Sequence, residues 1–233
     1  MTGSHILALD TAMGGCAVGV VDAQTGKTLS SLHEIMTAGQ AERLVPMIEQ
    51  ALKEADADYP DLAAIAVTRG PGAFTGLRIG LATARALAMT LKIPAIGVET
   101  FDALIKTAGQ MKKIETPAAV LIETKRSDYY IRMYDRTGNP AMPGASWSLE
   151  KMLEELENYA DCLLIGDAVQ RFIGESGKKA SWQTLDIWTC APAAIASCAR
   201  NKMSVSPCES RTLDTDPLYL RAPDVTLPKK TVI

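Results

Sequence analysis

The sequence predicts an α/β protein of two lobes, the second a degenerate echo of the first. Three observations point there. The first hundred residues read as three strands, a helix, a strand, a helix and a strand. A weaker version of that order returns between residues 100 and 201. And 233 residues are long for one simple domain but comfortable for two small lobes. The division falls near residue 100, giving lobes over 1–99 and 100–233 with no flexible linker between them.

Residues 6–9 and 16–21 are short apolar runs, and 28–35 is a third strand, joined by tight glycine-containing turns. A helix over 40–55 follows, with Ala41, Leu44, Val45, Ile48, Leu52 and Ala55 at helical spacing on one face. Glu42, Arg43, Glu49, Gln50, Lys53 and Glu54 occupy the other. Pro46 lies inside the pattern and should kink the helix or mark a late start. Then come a strand over 62–67, a helix over 73–91 and a strand over 95–98. In the second half, 100–108 reads as a helix, 118–123 and 129–135 as paired strands turning at Ser127-Asp128, and 163–165 as a further strand. Ser148 opens a helix over 149–157, with acidic residues in its first turns. Another helix covers 191–201, and the proline-bearing tail from Pro207 reads as irregular chain laid over the surface.

The most telling stretch is Thr68-Arg-Gly-Pro-Gly-Ala-Phe-Thr-Gly-Leu-Arg78 and the helix it opens. Its glycines allow torsions other residues resist, and Pro71, without an N–H, suits the turn. Between Ala73 and Leu91 only Arg78 and Arg85 are charged, while Gly76, Gly80, Ala84 and Ala88 recur every fourth residue. A helix apolar nearly all round must be covered on more than one side. One side can rest on the protein's own sheet; the rest needs a second domain or a second chain.

Composition bounds the function. With 47% hydrophobic and 22% charged residues, this is an ordinary globular chain. The 24 basic and 27 acidic residues nearly balance, and the bases are scattered in pairs such as Lys112-Lys113, Lys178-Lys179 and Lys229-Lys230. Gripping a nucleic-acid backbone takes clustered cations, so the chain by itself is a poor RNA binder. Five cysteines (Cys16, Cys162, Cys190, Cys198, Cys208) form no C-x-x-C pair and read as reduced thiols of a cytoplasmic protein. No signal peptide is evident, and Arg85, Lys92 and Pro94 argue against a membrane span over 79–98.

Ile6-Leu-Ala-Leu-Asp-Thr11, Arg69-Gly-Pro-Gly-Ala-Phe-Thr-Gly-Leu-Arg-Ile-Gly80 and Pro217-Leu-Tyr-Leu-Arg221 resemble the bacterial TsaB (YeaZ) family. The resemblance spans nearly the whole chain, and the Gly-Pro-Gly segment is its most specific part. It implies the duplicated actin/Hsp70/sugar-kinase fold, two lobes each with a mixed sheet and helices. It also implies an accessory subunit of the machinery that installs threonylcarbamoyl on adenosine 37 of tRNAs reading ANN codons. The partners so implied are the catalytic paralogue TsaD and the ATPase TsaE, with ATP and Mg used by the complex, tRNA met only through it, and a homodimer when the chain is alone. No cofactor is expected on this chain.

The same resemblance makes the helices over 40–55 and 73–91 the partner face. The expected contact residues are Leu44, Val45, Ile48, Phe74, Gly76, Leu77, Gly80, Leu81 and Ala84. Whether the small-residue stripe meets the partner or the internal sheet is left open by the sequence. Asp10-Thr11, followed by Gly14-Gly15, stands where actin-fold kinases hold a nucleotide phosphate, but reads first as a hairpin whose Asp and glycines simply make the turn. The second lobe lacks the matching half: Ile122-Glu-Thr-Lys-Arg126 has no glycine, and Leu164-Ile-Gly-Asp-Ala168 offers one. Where relatives often show Asp-Ala-Arg-x-x-Glu-x-Tyr, this chain has Glu123-Thr-Lys-Arg-Ser-Asp-Tyr-Tyr130, either a solvated hairpin or an inter-lobe contact.

Catalytic and metal sites are not expected. TsaD-like proteins carry H-x-x-x-H on a helix, whereas this chain has only His5 and His33, in separate strand regions, and Gln40 where many TsaB relatives keep a histidine. No G-x-S-x-G elbow exists, and Cys190 and Cys198 read as small core residues. The Gly70-Pro71-Gly72 turn lacks the Gly-Lys-Ser/Thr ending of a phosphate loop. Two rivals remain: an ATP-dependent small-molecule kinase in which Asp10 orients magnesium, and a glycoprotease, which would need a metal.

Overall fold

The computed structural model describes residues 3–159, 161–177, 182–205 and 212–221. Lys178-Lys179, Cys208, Lys229-Lys230 and most of the expected tail lie outside the described residues.

Two sheets are built on one plan. In the first, β1 (His5–Asp10), β2 (Gly15–Asp22) and β3 (Thr28–Ile35) form an antiparallel meander, and β4 (Leu62–Gly70) and β5 (Ala95–Glu99) continue parallel to β1 on its other side. Helix α1 (Gln40–Glu54) links β3 to β4, α2 (Phe74–Leu91) links β4 to β5, and α3 (Thr100–Met111) follows. The second half repeats this. The strands β6 (Ala118–Glu123), β7 (Asp128–Tyr134) and β8 (Ala145–Ser148) make the meander, and α4 (Leu149–Leu156) leads to β9 (Leu163–Ile165). Then α5 (Val169–Ser176), β10 (Gln183–Leu185) and α6 (Pro192–Val205) complete the copy, with β9 and β10 parallel to β6. The echo read in the sequence is a topological duplication.

Apolar patterning stacks these elements into five layers. Leu7, Leu9, Val18, Ile65 and Val67 turn one face of the first sheet toward α1 and α2. Ile6, Ala8, Ala64, Ala66 and Ile96 turn the other face toward α3 and α6, which also cover Val120, Ile122 and Leu163 of the second sheet. Ala119, Leu121, Ile131 and Leu164 face outward onto α4 and α5. The alternation along each strand is the period-2 signature of a sheet buried on both sides.

Several sequence expectations change. Helix α1 is continuous from Gln40, so Pro46 does not mark a late start; it sits exposed, where its missing N–H costs one bond on the solvent side. Elements β8, α5 and β10 have no counterpart among the elements read from the sequence. Both α6 and a two-residue strand β11 (Thr212–Leu213), which lie beyond residue 100, return to the first lobe: α6 packs over its sheet, and β11 pairs with β5. The described part of the tail therefore begins as a sheet edge rather than as loose chain. Ser148 caps α4 as expected, accepting from Lys151 N–H at 3.3 Å.

Candidate functional site

The helix α2 is pressed against the β1–β2 turn along its glycines. A Cβ on Gly76 would overlap the Thr11 carbonyl oxygen, and one on Gly80 would overlap the Thr11 hydroxyl. Thr11 Oγ1 donates to Gly76 O at 2.7 Å, sealing the contact. The stripe Gly76, Gly80, Ala84, Ala88 thus faces inward, which resolves the question the sequence left open.

That result corrects most of the expected contact residues. Leu44, Ile48, Gly76, Leu77, Gly80, Leu81 and Ala84 are buried inside this chain's own fold. A side chain without exposed surface has nothing to offer a partner. Only Val45 (47% exposed) and Phe74 (52%) of the nine reach the surface. The physical reason is an offset around each helix: apolar positions with the strongest periodicity are those that close the internal core, turned away from the outer face.

Part of what remains outside is still apolar. Ala41, Val45 and Pro46 of α1 and Phe74, Ala82, Ala86 and Met89 of α2 are exposed, Met89 at 78%. Positions 75, 78, 82, 86 and 89 share one stripe of α2, with Arg78 on it and the exposed Arg85 at its edge. The Arg78 guanidinium sits 3.6 Å over the Phe74 ring, which in turn stacks on Tyr219 with centroids 5.6 Å apart. Sequence reasoning missed Ala82, Ala86, Met89 and Tyr219. The first three were visible as the small or apolar residues left over once the buried stripe is removed from the helical wheel.

The second candidate, Asp10 and Thr11, is fully engaged within the fold. Asp10 is buried; its Oδ1 accepts from Ala12 N–H at 2.9 Å and Thr68 Oγ1 at 2.7 Å, and its Oδ2 from Cys190 N–H at 2.7 Å. This carboxylate joins the β1–β2 turn, β4 and the lead into α6. The Trp188 ring lies against Gly14, 2.8 Å from where a Cβ would stand, over the turn where a phosphate would have to sit. Across from Gly14 is Asp167, whose carboxyl burial pushes up to about 7. The Glu123 and Asp10 charges add to that rise, and a hydrogen bond from Glu123 N–H at 2.9 Å opposes it.

On the second lobe, Arg171 organises the β6–β7 turn. It bonds Glu123 Oε2 at 2.8 Å, Arg126 O at 3.0 Å and Asp128 O at 2.7 Å, and lies 3.8 Å over the Tyr129 ring. Asp128 is met by Ser146, by Thr124 and, from the tail, by Arg221 at 3.3 Å. The turn is therefore an organised intrachain junction rather than a solvated hairpin. The two histidines lie on β1 and β3, with β2 between; His33 shares its ring nitrogens with Ser31 and Thr189 hydroxyls. Burial raises the Cys198 thiol to about 11 and Cys190 well above its usual range, as expected of inert core cysteines.

A family model described as TsaD, tRNA N6-adenosine threonylcarbamoyltransferase, matches residues 34–170, more than half of the chain. The chain belongs to that family. The tRNA threonylcarbamoyladenosine biosynthesis protein TsaB of Escherichia coli (strain K12) is 29% identical over 171 residues, 73% of this chain and 68% of that protein. YeaZ from Pseudomonas aeruginosa superposes with a TM-score of 0.77 at 25% identity, covering 93% of this chain and 100% of that one. The ethanolamine utilization protein EutJ from Carboxydothermus hydrogenoformans shares the fold alone, with a TM-score of 0.50 at 10% identity over 85% of this chain and 91% of its own. The resemblance to TsaB (YeaZ) read from the motifs is borne out, as is the duplicated actin-like fold. Among the described residues no helix is long and apolar enough to cross a membrane.

Proposed function

We propose that this chain is a non-catalytic subunit of the machinery that forms threonylcarbamoyladenosine at position 37 of tRNAs reading ANN codons, and that it acts by docking onto a TsaD-type paralogue. The observation that carries the reading is the exposed apolar surface of α1 and α2, centred on Val45, Phe74, Ala82, Ala86 and Met89. Large apolar side chains left exposed on two adjoining helices mark an interaction site. Two helices can supply much of the roughly 800 Å² per partner that a standard interface buries. Because the paralogue has a related fold, two equivalent helix pairs would meet as a four-helix contact, and a second copy of this chain would use the same surface when the paralogue is absent.

Asp10 supports a non-catalytic role. Its oxygens already accept three internal hydrogen bonds, and Trp188 covers the adjoining glycine turn, so a magnesium-bound phosphate would have to displace both. In this reading ATP and Mg enter with the TsaE partner, tRNA is reached through the complex, and the chain works in the cytoplasm. The test is reconstitution of tRNA modification from TsaD, TsaE and the threonylcarbamoyl donor, with and without this chain. Activity should depend on the chain and fall with Met89→Asp. Equal activity without it would overturn the reading, and micromolar Mg-ATP binding with hydrolysis by the isolated chain would favour a kinase.

A further inference from the structure

The segment 214–221 crosses the molecule from the first sheet to the second lobe, and it is held at nearly every residue. After β11, Asp214 Oδ2 accepts from Lys202 Nζ at 3.1 Å, and Arg85 donates to Thr215 O at 2.8 Å and Asp216 Oδ1 at 2.9 Å. Leu218 N–H donates to Arg69 O at 2.8 Å. Two glycines make room for this path: a Cβ on Gly97 would overlap Asp214 O, and one on Gly70, at φ 115°, would stand 2.7 Å from Leu218 O. Tyr219 then stacks on Phe74, with Arg78 Nε 3.4 Å from its hydroxyl. Leu220 packs into the core between the lobes, against Gly144, and Arg221 pairs with Asp128 at the β6–β7 turn.

We propose that residues 214–221 form a strap that adds Tyr219 to the docking face and ties that face to the second lobe through Leu220 and Arg221. This deepens the docking reading above and rests on it for the identity of the partner. Tyr219 and Phe74 are large aromatics that stay 43% and 52% exposed despite stacking, so a partner seated on α2 meets both rings. Only Leu220 separates Tyr219 from Arg221, and two steps of chain span at most about 7 Å. A shift of the Phe74–Tyr219 stack is therefore passed to the Arg221–Asp128 pair instead of being absorbed by slack. Asp128 also carries the Thr124, Ser146 and Arg171 contacts of the β6–β7 turn, so the strap ends on an organised element.

Hydrogen exchange on the full free chain tests the link without a partner. Relative to wild type, Arg221→Ala and, separately, Leu220→Ala should speed exchange roughly two- to five-fold in the first turn of α2, far from both substitutions along the chain. Tyr219→Ala should do the same in residues 124–128. Changes confined to the residues adjoining each substitution would overturn the strap. A second arm titrates the TsaD-type paralogue: Arg221→Ala should weaken binding several-fold, and unchanged affinity would also overturn it. Failure of the wild-type chain to bind the paralogue would count against the functional reading, while the free-chain exchange still decides the strap.

Discussion

Gly76 and Gly80 sit where α2 meets the Thr11 carbonyl and hydroxyl, and neither position has room for a side chain. Gly80→Leu would force the helix off the β1–β2 turn, with a cost of about 1–3 kcal/mol or more. The melting temperature should fall, and any loss of binding should follow from lost folding. Asp167 gives a second residue-scale prediction. Its folded pKa near 7 lies above the unfolded value of 3.8, so the folded state holds a proton that the unfolded chain releases. Its stabilising contribution is complete below pH 3.8, is lost as pH rises toward 7, and changes little beyond. Asp167→Asn removes that dependence. In denaturant melts between pH 4 and 8, the variant's stability relative to wild type should climb by a few kcal/mol across this window. A difference independent of pH would show that the carboxyl is ionised throughout.

Helices α1 and α2 show why elements were more legible than the site on them. Long apolar runs between glycine turns made β1 to β5, α1 and α2 readable, down to the small-residue stripe of α2. The short or half-exposed elements carried little signal: β10 is three residues with no buried side chain, and β11 is two residues long. The same signal that found the helices misassigned their contact residues, because Leu44, Ile48, Leu77 and Leu81 are periodic for the sake of the internal core. Tyr219 belonged to the recognised Pro217–Arg221 motif, but only the fold brings it to Phe74. At this scale, Met89→Asp and Val45→Asp should leave stability within about 0.5 kcal/mol, as exposed substitutions do. Arg171→Ala should cost roughly 1–3 kcal/mol, because it strands Glu123 and two backbone carbonyls of the β6–β7 turn. Thermal melts separate the two classes.

Across the whole molecule, three of the four broad sheet faces are closed by chemistry that leaves little uncovered. The middle helices α3 and α6 fill the space between the sheets, and α4 and α5 cover the second sheet. On the remaining face, α1 and α2 cover the first sheet but present a second apolar surface of their own. That asymmetry between two copies of one plan is what singles out the first lobe as the docking lobe. The most direct measurement is a titration of the TsaD-type paralogue with the wild-type chain and with a Val45→Asp/Met89→Asp double variant of matched melting temperature. The account predicts a saturable complex for wild type and at least about tenfold weaker binding for the variant. Equal binding by both, or no complex with either, would contradict it.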